Sequence, residues 1–294
     1  MKHLFLINPL AGKIRHPEKV TTLIHSVYSE LHIPYDIQLI HFDQLAADIR
    51  HWEDQGVERI YVVGGDGSVN AVAQHLIHRK IALGIIPGGS GNGLSRHLGL
   101  PLKLEKALRQ APSWVEREID TGLFSDQPFI NLAGIGLDAE VSKAFSFAKR
   151  RGLLPYIRLS TQGLLYPKPI DVSMTIEGQT HRFNQILGIT IANGTQWGYE
   201  AKIAGGSSLT DGLLDIRVIH RFPLALAAPI VLRLFLGSLH HSAYVSSFKA
   251  SEISLIGPLD TIQVDGEPLE GFDTASVKVL ASSLRVAIPG DRKI

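Results

Sequence analysis

Three short stretches of this 294-residue chain hold side chains with chemistry to offer. "GGDGS" at 64–68 sets Asp66 and Ser68 among Gly64, Gly65 and Gly67, and "PGGSGNG" at 87–93 sets Ser90 and Asn92 among four glycines that include Gly89. "VDGE" at 264–267 sets Asp265 and Glu267 on either side of a glycine. Glycine-rich turns let backbone N–H groups approach an anion closely, and a helix that starts at such a turn adds its own unpaired amides. Those are the parts of a phosphate cradle. The spacing is neither GxxxxGK[ST] nor GxGxxG, so neither of those nucleotide fingerprints applies. On local sequence alone Asp66 reads equally as a cap for the amide of Val69 or Asn70 and as part of a ligand site. Likewise Asp265 and Glu267 read as exposed acids on an ordinary type I or I′ hairpin turn.

These stretches need elements to hold them. Short β-rich runs at 4–8, 35–40, 59–63 and 82–86 alternate with amphipathic segments at 17–31, 43–55, 68–78 and 91–97. That alternation predicts βαβ units and a mostly parallel sheet, whose ligands bind beyond the carboxyl ends of the strands. "NPLAGK" (8–13), "GGDGS" and "PGGSGNG" all follow predicted strands, which points to one composite site. After "LRQAPSWVEREIDTG" (108–122) the pattern changes to short alternating segments: "VSMTIEGQTHRF" (172–183) with a tight "IEGQ" turn, 186–194, 213–219, 252–256, 261–264, 276–280 and 284–288. Helical patterns fall at 139–166 and 222–241. The expected organisation is an α/β domain over 1–121 and a β-rich, sandwich-like domain over 122–294, with the last strand free to return to the first domain.

Composition narrows the partners. With 29 Lys and Arg against 28 Asp and Glu, no overall field attracts nucleic acid, and none is expected as a partner. The absence of cysteine excludes disulfides and thiolate metal sites and agrees with a reducing cytoplasm. The opening residues read as a strand, not as a leader. The most apolar stretch, 222–239, contains Arg233 and two prolines, which is short of a membrane span. The thirteen histidines are scattered and receive no metal role.

The ordered set of motifs resembles the diacylglycerol kinase catalytic-domain family, which includes bacterial lipid kinases and sphingosine kinases. Its GGDG[ST] signature is matched by Gly64 to Ser68, its P-x-G-[ST]-x-N loop by Pro87 to Asn92, and its opening N-P-x-[AGS]-G-[KR] by Asn8 to Lys13. "FINLAGIGLDAEV" (129–141), "DGLLDI" (211–216) and "VDGE" follow in the family's order, so the resemblance spans nearly the whole chain. Asn92 is followed by Gly93 where many bacterial members have Asn-Asp, which is closer to the sphingosine-kinase pattern.

The resemblance implies a phosphofructokinase- or NAD kinase-like α/β fold, ATP as donor and Mg²⁺ as its counter-ion. It implies that Asn8, Lys13, Asn70 and the loops of Gly64, Gly65, Gly67, Ser68, Gly89, Ser90 and Asn92 hold the nucleotide, with Asp66 organising the metal. Glu267 and Asp265 are implied as catalytic, Glu267 as the group that takes the acceptor's proton, and a second, structural Mg²⁺ is implied on the Asp211 side chain and the backbone oxygens of Ser208 and Leu213. Asp138 reads as a cap before a helix, although the same stretch borders the acceptor headgroup in sphingosine kinases. The implied acceptor is a primary hydroxyl of a diacylglycerol-like or sphingoid lipid met at a membrane surface, as in phospholipid metabolism, by a cytoplasmic protein with peripheral membrane contact. The basic and apolar stretch 143–159 suits that contact. A homodimer is compatible with the pattern. Two alternatives stay open: an NAD kinase-like enzyme and a nucleotide-binding membrane sensor without turnover.

Overall fold

A computed structural model of the chain describes residues 2–12, 14, 16–146, 168–269 and 272–292. Lys13 and most of the 143–159 stretch lie outside the described residues. The chain divides into two compact units, Met1–Ile119 with Ser282–Ile294, and Asp120–Ala281.

The first unit alternates strands and helices: β1 (Lys2–Ile7), α1 (Pro17–Glu30), β2 (Tyr35–Leu39), α2 (Leu45–Asp54), β3 (Val57–Gly64), α3 (Asp66–Leu76), β4 (Ala82–Pro87), α4 (Gly93–His97) and α5 (Leu104–Gln110). Strands β1 to β4 form a parallel sheet in the order β2-β1-β3-β4. β3 and β4 are buried almost throughout, as strands covered on both faces must be, and they carry runs of Val and Ile. α1 begins with Pro17 at its first turn and buries Val20, Ile24, Val27 and Tyr28, a single stripe at helical spacing. Phe5 stacks on Tyr61 at 4.9 Å between ring centres, and Gly84 on the neighbouring strand leaves the room that the Tyr61 ring occupies. The carboxyl ends of β1, β3 and β4 open directly into the three glycine-rich stretches.

β5 (Val115–Phe124) leads into the second unit, which contains β6 (Gln127–Phe129), β7 (Leu132–Gly136), α6 (Leu137–Ser146), β8 (Ile170–Ile176), β9 (Gln179–Ile186), β10 (Gly188–Ala192), β11 (Leu214–Ile219), α7 (Ala227–Leu236), β12 (Val245–Ala250), β13 (Glu252–Leu259), β14 (Ile262–Val264) and β15 (Glu267–Leu269). β16 (Phe272–Ile288) closes the chain. Two antiparallel layers result: β12-β11-β10-β7-β14-β15, and β13-β8-β9 with the first half of β16. Ile135, Ile189, Ile216 and Ile262 of one layer share a buried core with Met174, Ile253, Leu255 and Val277 of the other, which is the packing of a sandwich. The tight turn expected in "IEGQ" has both central residues at positive φ, Glu177 at 47° and Gly178 at 78°, as a type I′ hairpin requires.

The strands expected at 276–280 and 284–288 are one strand, β16, with Ser282 at φ 47° marking the irregularity between its halves. Its first half pairs with β13, and Val286 in its second half pairs in parallel with Leu83 of β4. Period and turn residues suggested a break here, but one positive-φ residue is absorbed inside a paired strand. The segment 282–294 therefore counts with the first unit.

Candidate active site

In the first unit the two glycine loops are locked together. The N–H of Gly88 donates to Gly64 O at 2.6 Å, and a side-chain carbon added at Gly89 would stand 2.5 Å from the Cα of Gly65. A carbon added at Gly64 would meet Ser68 Cβ at 2.7 Å. These glycines are explained by backbone packing. Gly12 and Gly67 are not: a carbon added at either meets nothing within 4 Å, and neither has a positive φ. Gly67 is exposed in the first turn of α3, whose leading amides have no acceptor within the helix and no side-chain cap. Open space beside unpaired helix-start amides suits a phosphate group.

The carboxylate of Asp66 joins the loops. Its two oxygens accept from the N–H groups of Asn92 and Gly93, each at 2.7 Å. The local cap considered from the sequence is not formed, because the Val69 amide donates to Gly65 O instead. Asp66 caps a different helix, α4. Asn92 adopts the left-handed conformation, φ 51°, and folds its side chain back so that Oδ1 accepts from Gly89 N at 3.1 Å and Nδ2 donates to Gly89 O at 2.9 Å. What position 93 contributes is its backbone N–H, which any residue but proline supplies. Burial pushes the Asp66 carboxyl above its ordinary range, against the pull of the Gly93 and Asn92 amides and of Arg96. The carboxylate also accepts from the Asp66 amide, so three of its about four lone-pair sites are taken and one remains for a water or a metal.

Asn8 extends the wall: its Nδ2 donates to Ser68 Oγ at 2.7 Å, and its Oδ1 accepts from Leu10 N at 2.9 Å. Ser68 and Asn70 are buried and Ser90 is exposed. Lys13 lies outside the described residues, so its nucleotide role stays an expectation.

In the second unit the "VDGE" turn is a type I′ hairpin between β14 and β15, with Asp265 at φ 50° and Gly266 at φ 89°. Asp265 was expected to be catalytic together with Glu267. The structure assigns it another job: Oδ2 accepts from Ile130 N at 2.7 Å, and Oδ1 from Asn131 N at 2.9 Å and Leu132 N at 3.0 Å. Its own N–H donates to Leu132 O at 2.8 Å. A carboxylate that accepts three amides from one strand start is a brace for it. Glu267, the first residue of β15, pairs its backbone with Val264, while its side chain is exposed and forms no hydrogen bond or ion pair among the described residues.

Asp138 stands inside the first turn of α6, as its second residue, and not ahead of the helix as expected. Its Oδ2 accepts from Gln263 Nε2 at 2.9 Å and Thr190 Oγ1 at 3.4 Å, and the Trp197 indole stands nearby without reaching hydrogen-bond geometry. Burial pushes its carboxyl up to about 6, against the pull of Gln263, Thr190 and Trp197. Asn193 ties the same region, its Nδ2 donating to the carbonyls of Asp120 and Ile130 at 2.8 Å each.

The second Mg²⁺ site expected from the sequence rests on the Asp211 side chain and the backbone oxygens of Ser208 and Leu213, and it stays an expectation. Asp211 Oδ2 is held by Lys249 Nζ at 2.9 Å, and its Oδ1 accepts from Leu213 N at 3.1 Å, while Ser208 Oγ is turned to Thr210. Lys249 Nζ also lies 3.4 Å from Asp215 Oδ2. Lysine stands on β12, thirty-odd residues along the chain, and no local pattern places it there. Sequence reasoning also missed Gln263 and Gly88. Glycine count pointed at Gly88, but nothing in the sequence marks Gln263.

Comparison with known proteins agrees with this layout. The model of the diacylglycerol kinase catalytic domain matches residues 2–124, and that of the YegS C-terminal NAD kinase beta sandwich-like domain matches residues 131–288. A "Probable lipid kinase YegS-like" of Klebsiella pneumoniae is 29% identical, over 80% of this chain and 79% of its own length. The "Diacylglycerol kinase" of Bacillus subtilis is 27% identical over 77% of this chain and 78% of its own. The fold is shared with a crystal structure of a diacylglycerol kinase from Bacillus anthracis, at a TM-score of 0.73 and 20% identity over 98% of this chain and 96% of that one. With both family models matched in order across the two units, and lipid kinases among its relatives, the chain belongs to the diacylglycerol kinase catalytic-domain family.

Proposed function

We propose that this protein is an ATP- and Mg²⁺-dependent lipid kinase that phosphorylates a primary hydroxyl of a diacylglycerol-like or sphingoid lipid. The observation that carries the reading is Glu267, an exposed carboxylate without a partner among the described residues, on a turn whose other acid is fully committed to holding backbone. Glu267 takes the proton of the acceptor hydroxyl as that oxygen receives the phosphoryl group. When bound, Mg²⁺·ATP supplies the phosphoryl group and spreads its negative charge. The first unit's share is positioning: the α3 amides and the joined glycine loops hold phosphates, Gly12 and Gly67 keep side chains away, and Asp66 fixes both loops in one arrangement.

The acceptor's lipid character is supported by the relatives' names and by α7. Leu224, Val231, Leu232 and Leu236 are exposed in and beside that helix, at 57%, 39%, 59% and 67%. The sequence from Arg221 to Tyr244 contains no acidic residue, against Arg221 and Arg233. Exposed leucines among cations suit a peripheral contact with an anionic bilayer. No helix of the described residues is long and apolar enough to cross one.

The test is turnover of labelled ATP with Mg²⁺ over a panel of diacylglycerols and sphingoid bases in mixed micelles, with NAD as a further acceptor. Labelled lipid that disappears by about 10²- to 10⁴-fold in kcat for Glu267→Gln supports the proposal. Labelled NAD with no labelled lipid sinks the lipid reading, and undiminished turnover by Glu267→Gln sinks the base assignment.

A further inference from the structure

Gln263 is 1% exposed on β14 between Ile262 and Val264, both in the apolar core. A buried amide there needs its hydrogen bonds satisfied, and it finds them in two directions. Its Nε2 donates to Asp138 Oδ2 on α6 at 2.9 Å, and its Oε1 accepts from the N–H of Gly266 at 2.7 Å. Gly266 is the residue between the brace, Asp265, and the free acid, Glu267. The two bonds fix the amide's orientation, since the Gly266 N–H requires an oxygen and the carboxylate requires a donor. The position of Asp138 is itself enforced, because any side chain at Gly134 on β7 would collide with its carboxyl group.

We propose that Gln263, oriented by Asp138, is a positioning residue that holds the Gly266 peptide and so sets the direction in which Glu267 presents its carboxylate. The inference rests on Glu267 as the proton acceptor; the hydrogen-bond relay from Asp138 through Gln263 to Gly266 stands apart from it. The relay has a built-in sensitivity. An ionised Asp138 only accepts, which points the Gln263 NH₂ toward it. A protonated Asp138 offers a donor beside a neutral acceptor, so the NH₂ loses its charge-assisted hold and the amide is freer to turn away from the Gly266 N–H. Among the described residues, the strands packed on α6 bring few charges to this point: β7, β10 and β14 have no ionisable side chain, and β15 has Glu267. The turn adds Asp265, and α6 itself Glu140, paired with Lys168, and Lys143.

The experiment uses the full chain as wild type, Gln263→Leu and Asp138→Asn. It measures hydrogen exchange at the Gly266 amide and kinetics with the lipid best turned over in the panel. In Gln263→Leu the Gly266 amide should exchange about tenfold faster, and kcat should fall about tenfold with KM within twofold. Wild type should lose Gly266 protection and kcat as pH falls through about 6, the value to which burial raises Asp138. Asp138→Asn keeps an acceptor for Gln263 but cannot titrate, so its acidic limb should move down by at least one pH unit. Unchanged Gly266 protection in Gln263→Leu, or the same acidic limb in wild type and Asp138→Asn, overturns the relay. Should no lipid be turned over, the exchange measurements still decide the relay while the kinase reading alone fails.

Discussion

Replacing Asp265 separates a brace from a base. Its carboxylate accepts three backbone amides, those of Ile130, Asn131 and Leu132, at 2.7 to 3.0 Å. Hydrogen bonds to a charged acceptor contribute roughly 1.5–3 kcal/mol each, and amides left unpaired on burial cost about 1–3 kcal/mol. The three share one acceptor and one strand start, so their losses overlap. Asp265→Ala should then cost about 4 kcal/mol, including the strain of alanine at φ 50°. Asp265→Asn keeps one oxygen, able to serve Asn131 and Leu132, and turns its NH₂ against the Ile130 N–H, so about 2 kcal/mol is expected. These are large fractions of a typical total stability of about 5–15 kcal/mol. The assay is urea unfolding of the full chain, with exchange at the amides of 130–132 reporting the second unit separately, beside Glu267→Gln as control. Glu267 is exposed and unbonded among the described residues, so its amide variant should stay within about 0.5 kcal/mol of wild type while losing turnover. An Asp265→Asn protein as stable as wild type and as inactive as Glu267→Gln would refute the reasoning, because Asp265 would then act in the chemistry itself.

Three further outcomes follow from the same geometry. Gly89→Ala should destabilise the first unit by about 2–4 kcal/mol, since its new carbon meets backbone at Gly65, whereas Gly67→Ala should unfold like wild type yet lose the thermal shift produced by Mg²⁺·ATP; a retained shift in Gly67→Ala would count against phosphates binding there. Asp138 titrates at 3.8 ordinarily and at about 6 when folded, so the native state binds the extra proton between those values and stability falls as pH rises across that window, by roughly 3 kcal/mol in all. Asp138→Asn should flatten that slope in pH-dependent unfolding, and an unaltered slope would place the titration elsewhere. Leu232→Asp with Leu236→Asp should cut cosedimentation with phosphatidylglycerol vesicles at least tenfold without changing ATP binding, and undiminished cosedimentation would move the bilayer contact off α7.

Much of the fold is carried by periodicity and punctuation. Apolar runs of Val and Ile followed by glycine breaks placed β1, β3 and β4 and the loops at their ends, because a strand buried on both faces has few other ways to be written. Glycine with aspartate or glutamate placed the "IEGQ" and "VDGE" hairpins, because only such residues tolerate two successive positive φ angles. What the sequence could not supply was the assignment of each acid. Asp66, Asp138, Asp211 and Asp265 all lie in stretches that read as local caps or ligands. In the folded chain they are answered by Asn92 and Gly93, by Gln263, by Lys249 and by residues 130–132 respectively. Those partners lie from 26 to 135 residues away, for Asp66 to Asn92 and Asp265 to Ile130. A carboxylate's type and spacing establish that it must be satisfied, since burying it unpaired is costly. Which group satisfies it, and which acid of the "VDGE" turn keeps a side chain without a partner among the described residues, depends on contacts that exist only once distant strands are brought into register.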